Sequence, residues 1–303
     1  MNNYIVFDIG GSSVKYAIMT EEGEFLSKGS YKSAKNDFEL FKESMINVIN
    51  KAKEENDIIG VAVSAPGGVD SESGLIGGAS ALPCIHGPNF KKVFGEELGL
   101  TLEIENDANC AALGEVWKGA AKDNNDVLFV VCGTGIGGAV IKDKKIHKGN
   151  NLHGGEFGYC ILERIQEGNN IRFKSWSKTG AVGALLENVA KLKNINEDEI
   201  DGKKVFELAE NGDLDCINAI DEFYLNNALG IFNIQYMYDP EKIILGGAIS
   251  SRPDFIDRIN EKLDIIMGDL SDAKVRPIIE KCKFENDANL LGALFNYLQR
   301  NKI

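Results

Sequence analysis

The pentapeptide ENDAN occurs twice in this chain of 303 residues, first at 105–109 and again at 285–289. Each copy combines carboxylates with amides, groups that can accept a proton from a substrate, bind hydroxyl groups or hold a cation. Asn and Asp ahead of an apolar run also begin ordinary helices, because their side chains cap free backbone N–H groups. The pattern alone leaves both interpretations open for both copies.

Two glycine-rich stretches follow strand-like apolar runs and could bind phosphate. DIGGSSVK begins at Asp8, and GTGIGG begins at Gly133. The backbone N–H groups of such turns converge on an anion and hold it without a large positive charge. GTGIGG also fits the dinucleotide-binding pattern G-x-G-x-x-G, but that pattern must open a helix, whereas the following AVIKDKKI alternates like a strand. We therefore expect two phosphate-binding turns rather than a Rossmann fold.

Asp8 ends an otherwise apolar strand, where a charge is costly unless it is paired or meets a metal. We expect it to bind the Mg²⁺ of a nucleotide, directly or through water, the alternative being a cap of the adjoining turn. A third turn, LGGAIS from Leu245, is a candidate platform for a base or ribose. The residues predicted to bind the nucleotide are Asp8, Gly10, Gly11, Ser12, Lys15, Thr134, Gly246 and Gly247.

The composition limits the partners and the compartment. The 33 Lys and Arg against 46 Asp and Glu give a net charge of −13, which disfavours nucleic acid and anionic membranes as partners. No uncharged run approaches the ~20 residues of a membrane span, and the start of the chain carries no targeting signature, so we expect a cytoplasmic protein. The six Cys and three His are scattered without ligand spacing, so we expect no zinc.

The order of strand and helix signals indicates an α/β protein with mixed sheets. The first third reads as three strands, a helix and a further strand, which requires both antiparallel and parallel pairs. From Val127 the chain again reads as a strand, a glycine-rich turn and a returning strand, with helices and the strand KIILGGAIS after them. We expect one domain at 1–116, completed by a C-terminal helix at 287–303, and a larger domain at 117–286, packed around a cleft.

Five motifs in this order, DIGGSSVK, ENDANCAALGE, GTGIGGAV, HGGEFGY and LGGAIS, resemble those of the ROK family of sugar kinases, over nearly the whole chain. The resemblance implies an actin/hexokinase-like (ribonuclease H-like) fold of duplicated domains with mixed sheets around a central cleft. It further implies transfer of the γ-phosphate of ATP, assisted by Mg²⁺, to a sugar hydroxyl, usually the one on C6. A homodimer is expected as well.

The same resemblance assigns roles to individual residues. Asp107 of the first ENDAN corresponds to the catalytic base and Asn106 to a residue that binds a sugar hydroxyl. Glu156 of HGGEFGY corresponds to a residue that binds another hydroxyl. The other positions that line the sugar pocket by resemblance are Gly67, Ser80 and Gly135. The second ENDAN opens the C-terminal helix, and there we expect Asn286 and Asp287 to act only as a cap.

The chain departs from the family pattern at Tyr159, where most ROK kinases carry a His followed by a Cys-rich zinc loop. CILERIQEGNNIRFKSWSKTG stands there instead, without a Cys cluster. Some zinc-free members phosphorylate glucosides, including β-linked disaccharides, and SALPCIHGPNF resembles the acceptor loop of that subgroup. We therefore predict a glucoside or β-linked disaccharide as acceptor, its second ring stacked on Tyr159 or Phe90.

Other functions are compatible with parts of the pattern. A glucokinase or an N-acetylmannosamine kinase would act on a free hexose with the same motifs. ROK domains also serve as sugar sensors fused to DNA-binding heads, but only three residues precede the first strand and the charge is acidic. An inactive kinase relative would be expected to lack Asp8, Asp107 or one of the phosphate turns, and all of these are present.

Overall fold

The computed structural model describes residues 2–284 and 287–303, and its contacts divide the chain into two compact units. The first unit consists of Met1–Asp123, Asp143–Gly154 and Asn286–Ile303, and the second of Asn124–Lys142 and Gly155–Glu285. The domain limits expected from the sequence, at 116 and 286, stay a prediction.

The first unit is built on a five-stranded mixed sheet. The strands that lie in the first unit, within this sheet and outside it, are β1 (Asn3–Ile9), β2 (Ser13–Thr20), β3 (Phe25–Lys32), β4 (Ile58–Ala65), β5 (Gly68–Asp70), β6 (Leu75–Gly77), β7 (Thr101–Asn106) and β10 (Lys145–Ile146). The main sheet has the order β3-β2-β1-β4-β7, with β1 antiparallel to β2 and parallel to β4, and β4 parallel to β7. β5 and β6 form a separate hairpin. The mixed sheet expected for this part of the chain is confirmed.

Four helices complete the first unit: α1 (Phe38–Glu55), α2 (Glu96–Leu98), α3 (Asp107–Lys118) and α9 (Ala288–Asn301). α3 and α9 pack at very close range, because a Cβ at Gly292 would overlap the carbonyl oxygen of Cys110 and one at Gly114 would lie 2.5 Å from that of Ala288. α9 also contacts β1, β4 and β7. The two helices that begin with ENDAN are therefore direct neighbours.

The second unit contains a sheet in which the neighbours follow the order β9-β8-β13-β14. Its strands are β8 (Val127–Cys132), β9 (Ile136–Lys142), β11 (Ile161–Glu167), β12 (Asn170–Ser175), β13 (Lys242–Gly246) and β14 (Ile279–Lys281), and its helices are α4 (Ser177–Gly180), α5 (Val182–Lys193), α6 (Gly202–Glu210), α7 (Leu214–Tyr238) and α8 (Phe255–Asp269). β8 and β9 are antiparallel, whereas β8, β13 and β14 are parallel. The strand after GTGIGG is β9, as its alternation predicts.

Short helical turns and one exposed hairpin accompany these elements. Short helical turns lie at Pro83–Ile85, Lys91–Gly95, Phe157–Tyr159, Glu197–Glu199 and Ala248–Ser251. The stretch after Tyr159 forms the antiparallel hairpin β11-β12. Neither this hairpin nor α8 is predicted by the sequence pattern. Of the helices described, none is both long and apolar enough to cross a membrane.

Candidate active site

Asp8 lies at the end of β1 and is held by side chains from two other elements. Its Oδ1 accepts hydrogen bonds from Ser64 Oγ on β4 and from Asn289 Nδ2 on α9, each at 3.0 Å. Lys15 is its cross-strand neighbour on β2, so the two side chains share one face of the sheet. Sequence reasoning missed Ser64, although a polar residue inside the apolar run IIGVAVSAP is the same signal that identified Asp8.

The turn between β1 and β2 is fixed by its own backbone and by Ser33. The Gly10 N–H donates to the carbonyl of Ser13 at 3.0 Å, and Ser33 Oγ donates to the Gly10 carbonyl at 2.6 Å. The Ser33 N–H donates to the carbonyl of Ser12 at 3.2 Å. These bonds hold Gly10, Gly11 and Ser12 next to Asp8, so the structure brings together the predicted nucleotide-binding residues of the first unit.

The first ENDAN both caps a helix and positions a carboxylate. Asn106 Oδ1 accepts the Asn109 N–H at 3.1 Å, which caps α3. Asn106 Nδ2 donates to Asp107 Oδ1 at 2.9 Å and to the Gly67 carbonyl at 3.0 Å. Asp107 Oδ1 also accepts the Ala108 N–H at 2.8 Å. The two interpretations of this copy do not exclude each other, because capping and positioning use different atoms of Asn106.

The electrostatic environment makes Asp107 a stronger base. Burial raises the pKa of the Asp107 carboxyl above its ordinary value, and the charge of Asp8 raises it further. The hydrogen bonds from Ala108 and Asn106 oppose this shift, but the net direction of the pKa is upward. A carboxylate with a raised pKa accepts a proton from a hydroxyl group more readily.

His86 connects Ser80 to the backbone of Gly67. Ser80 Oγ lies 2.8 Å from His86 Nε2 and accepts the Leu82 N–H at 3.2 Å. A Cβ at Gly67, where φ is +102°, would lie 3.1 Å from the His86 ring, so the ring packs against the Gly67 backbone. The structure thus brings together the predicted acceptor residues Gly67, Ser80, Asn106 and Asp107. It adds His86, which lies within SALPCIHGPNF but was given no role from the sequence.

A buried ion pair supports the strand that ends at Asn106. Glu105, only 2% exposed, pairs with Lys148 Nζ at 2.7 Å and accepts the Ser71 hydroxyl at 2.8 Å. Its other oxygen accepts the Asn106 N–H at 2.8 Å and Asn109 Nδ2 at 2.9 Å. A buried carboxylate is tolerated when it is paired and hydrogen-bonded in this way. Sequence reasoning missed the pair, since no spacing links Glu105 to Lys148.

In the second unit, the turn between β8 and β9 carries Thr134 and Gly135. The Gly133 N–H donates to the Gly135 carbonyl at 2.9 Å. A Cβ at Gly183, in the first turn of α5, would overlap the Thr134 carbonyl. The Val182 N–H at the start of α5 donates to the Gly133 carbonyl at 2.9 Å, so the N-terminus of α5 is packed directly on this turn.

Gly246 and Gly247 lie at the same edge of that sheet as Thr134. Gly246 ends β13, which is the parallel neighbour of β8. Gly247 has φ +94°, and a Cβ there would overlap the carbonyl of Cys132, the last residue of β8. The carboxyl edge of a parallel pair is a common place for ligands, and the structure brings the predicted nucleotide-binding residues Thr134, Gly246 and Gly247 together there.

Glu156 lies on an exposed position of a segment that packs against β9 in the second unit. Gly155 has φ +97° and packs against Gly138 and Ala139 on β9, and this contact places the exposed Glu156 at the start of the turn Phe157–Tyr159. Tyr159 is 78% exposed. The prediction that Phe90 could stack on a second sugar ring is wrong, because Phe90 is fully buried in an aromatic cluster, where it packs against Phe38, Phe41 and Phe94.

The second ENDAN does not act as predicted. Asp287 makes no capping hydrogen bond and instead forms an ion pair with Lys28 at 2.7 Å, so the prediction of a cap is wrong for this residue. Asn286, the other predicted cap, lies outside the described residues. Asn289 of the same copy bonds to Asp8, a contact that the sequence did not reveal.

Comparisons with known proteins identify the family of this chain. The model of the ROK family matches residues 4–300. A β-glucoside kinase of Listeria monocytogenes is 34% identical over 294 residues, which cover 97% of this chain and 96% of that protein. A glucokinase of Halalkalibacterium halodurans is 29% identical, over 83% of this chain and 82% of its own.

Among solved structures, a ROK family protein from Streptococcus pneumoniae in complex with sucrose has a TM-score of 0.88 and 35% identity, covering 99% of both chains. The fold is actin/hexokinase-like, as the motifs imply. Together with the kinase relatives, it shows that the protein is an ATP-dependent carbohydrate kinase. The chain belongs to the ROK family.

Proposed function

We propose that the kinase transfers the γ-phosphate of ATP to the C6 hydroxyl of a glucoside or β-linked disaccharide. The observation that carries this proposal is Tyr159, which is 78% exposed and is followed by the hairpin β11-β12 instead of a Cys-rich loop. An exposed ring of this kind can stack on an additional sugar. The 34% identity to a β-glucoside kinase over 97% of the chain supports the same acceptor.

In this proposal Asp107 is the base. Its Oδ1 is occupied by donors from Ala108 and Asn106, so Oδ2 would accept the proton of the sugar hydroxyl as the bond to phosphorus forms. Asn106 Oδ1 accepts one hydrogen bond within the protein and has a second lone pair for a sugar hydroxyl. Glu156 would bind another hydroxyl. The positions proposed to line the rest of the pocket are Gly67, Ser80 and Gly135.

The nucleotide would be held by residues of both predicted phosphate turns and of LGGAIS. Asp8 fits Mg²⁺, since this ion is bound through one or two carboxylates, with phosphate and water oxygens as its other ligands. When bound, Mg²⁺ would neutralise the phosphate charge. Positioning and charge neutralisation supply most of the rate in phosphoryl transfer. The residues proposed to contact the nucleotide are Asp8, Gly10, Gly11, Ser12, Lys15, Thr134, Gly246 and Gly247.

A panel of acceptors tests the proposal. ADP release would be followed with ATP and Mg²⁺ for cellobiose, methyl β-glucoside, glucose and N-acetylmannosamine, and the product of the best acceptor examined by NMR for phosphate on C6. We expect a kcat/KM for a β-glucoside at least equal to that for the free sugars. A preference of about tenfold or more for glucose or N-acetylmannosamine, worth about 1.4 kcal/mol, would contradict the proposal.

A free-hexose kinase is the second candidate, favoured by the glucokinase relative. Tyr159→Ala separates the two: it should lower kcat/KM for cellobiose but leave that for glucose within twofold if the tyrosine contacts only the second ring.

We also propose a homodimer that acts in the cytoplasm, where ATP is available. Light scattering coupled to size-exclusion chromatography measures the oligomeric state.

A further inference from the structure

The C-terminal helix α9 places an amide group directly on Asp8. Asn289, the second residue of α9, directs its Nδ2 to Asp8 Oδ1 at 3.0 Å and to Ser64 Oγ at 3.4 Å. We propose that Asn289 is a positioning residue, which orients the Asp8 carboxylate toward the Mg²⁺ of the bound nucleotide. This inference rests on the proposed role of Asp8 as the ligand of that ion.

The pattern of donors around Asp8 suits a carboxylate that must hold a cation. Asp8 and the fully buried Ser64 lie opposite each other on the parallel strands β1 and β4, and Ser64 Oγ donates to the same Oδ1 that Asn289 uses. Oδ2 receives no hydrogen bond from the described residues. Both donors are neutral, so they orient the carboxylate without cancelling its charge, and Oδ2 remains for the ion or one of its waters.

The packing of α9 explains why Asn289 is held in place. Gly292 lies three residues further along the helix and so on nearly the same face. A Cβ at Gly292 would overlap the Cys110 carbonyl of α3, and at Gly114 of α3 it would lie 2.5 Å from the Ala288 carbonyl. The two backbones are in contact, so the short Asn side chain has little freedom to leave Asp8.

A purely structural role makes a different prediction. If the bond only attached α9 to the sheet, its loss would lower the free energy of unfolding and leave nucleotide affinity unchanged. If it positions Asp8, its loss should weaken binding of Mg·ATP and leave the fold nearly intact. Alanine is the best helix former, which offsets part of the lost hydrogen bond.

Calorimetric titration with ATP in saturating Mg²⁺, without any sugar, tests the proposal. Asn289→Ala should raise the Kd of Mg·ATP by about 10-fold or more, the usual effect of removing a group that orients a metal ligand. With EDTA in place of Mg²⁺, ATP should bind the parent and the variant alike. The melting temperature and the Kd of the sugar should change little.

Two variants serve as matched controls. Asp287→Asn alters the same pentapeptide two residues earlier and removes an exposed ion pair with Lys28. Gln299→Ala removes another amide of α9, whose Nε2 donates to the Lys144 carbonyl at 3.0 Å. Both should keep the Kd of Mg·ATP within twofold of the parent value.

A double-mutant cycle decides whether Asn289 acts through Asp8. In the Asp8→Asn background, Asn289→Ala should change the Kd of Mg·ATP by less than twofold, because the carboxylate to be oriented is gone. An unchanged Kd in the single variant, an equal loss with EDTA, or the full loss in the Asp8→Asn background would each overturn the proposal. If the proposed acceptor sugar is wrong, the result of this binding assay does not change. If the parent protein does not bind Mg·ATP, the proposed function is refuted as well.

Discussion

Replacing the proposed base by its neutral isostere should separate catalysis from folding. In Asp107→Asn the side-chain oxygen can still accept the hydrogen bonds from Asn106 Nδ2 and the Ala108 N–H, at 2.9 and 2.8 Å in the parent, so the shape is kept. The amide cannot accept the hydroxyl proton. General-base catalysis contributes typically 10²–10⁴-fold, and we expect kcat to fall by about 10²-fold or more, equivalent to about 2.7 kcal/mol.

The thermal stability of Asp107→Asn should not fall with its kcat and should instead equal or exceed that of the parent. Burial and the charge of Asp8 raise the pKa of Asp107 in the folded protein, so the ionised carboxylate is less favourable in the folded chain than in the unfolded one. The contribution of the Asp107 side chain to the free energy of unfolding is fully present below the unfolded pKa, where the carboxyl is protonated. It is lost as pH rises through the folded pKa. At pH 7.5, Asp107→Asn should therefore melt at the same temperature as the parent or higher.

Two measurements check the reasoning together. Steady-state ADP release with saturating sugar and Mg·ATP gives kcat, and differential scanning calorimetry between pH 4 and pH 8 gives the melting temperature. The advantage of the variant should shrink as the pH falls toward the unfolded pKa of about 3.9. A loss of kcat below tenfold would refute the role of Asp107 as the base. A lower melting temperature at pH 7.5 would refute the electrostatic argument.

Three further predictions concern the second ENDAN, the helix contact and the metals. Asp287→Asn should lower the free energy of unfolding by at most about 1 kcal/mol in chemical denaturation, because its ion pair with Lys28 is exposed. Its kcat should stay within twofold of the parent value. A loss of kcat equal to that of Asp107→Asn would contradict the assignment of Asp107 as the base. Gly292→Ala should destabilise the protein by about 3 kcal/mol, the upper range for overpacking, since its Cβ would overlap the Cys110 carbonyl. The control Gly268→Ala in α8, where the space is open, should be neutral or stabilise the protein by about 1 kcal/mol. Equal effects of the two substitutions in denaturant titrations would refute the packing argument. Elemental analysis should find no stoichiometric zinc, and EDTA should abolish activity until Mg²⁺ is restored; one tightly bound zinc per chain would mean that distant Cys and His residues converge.

The parts of the fold that could be predicted from sequence carry a strong local signal. Apolar runs ending in glycine-rich turns indicated β1, β4, β8 and β13, and amphipathic spacing indicated α1. The hairpin β11-β12 was missed because its side chains are mostly exposed. It therefore lacks the regular alternation of buried and exposed residues on which strand prediction depends.

The candidate site divides in the same way. Asp8 and the phosphate turns were selected as candidates because a carboxylate or a glycine cluster at the end of an apolar run is conspicuous in one dimension. Asp107 was assigned from the resemblance to ROK kinases. His86 was given no role, although its partner Ser80 is only six residues away. Ser64 and the Glu105–Lys148 pair were missed, because their importance depends on a partner that is distant in sequence. Phe90 was misjudged for the same reason, since an aromatic residue in a loop gives no indication of whether it is buried.

The two copies of ENDAN differ in what the sequence and the tertiary structure each determine. The sequence by itself determined that both copies begin helices and that each carries groups able to bind or position a ligand, since residue type and spacing suffice for that. Only the tertiary structure decided their different roles. Asn106 caps α3 and holds Asp107, whereas Asp287 forms an ion pair and Asn289 reaches Asp8, 281 positions away in the chain. The physical reason is that a hydrogen bond depends on the position of both partners, and identical local sequences acquire different partners from the helices and strands packed around them.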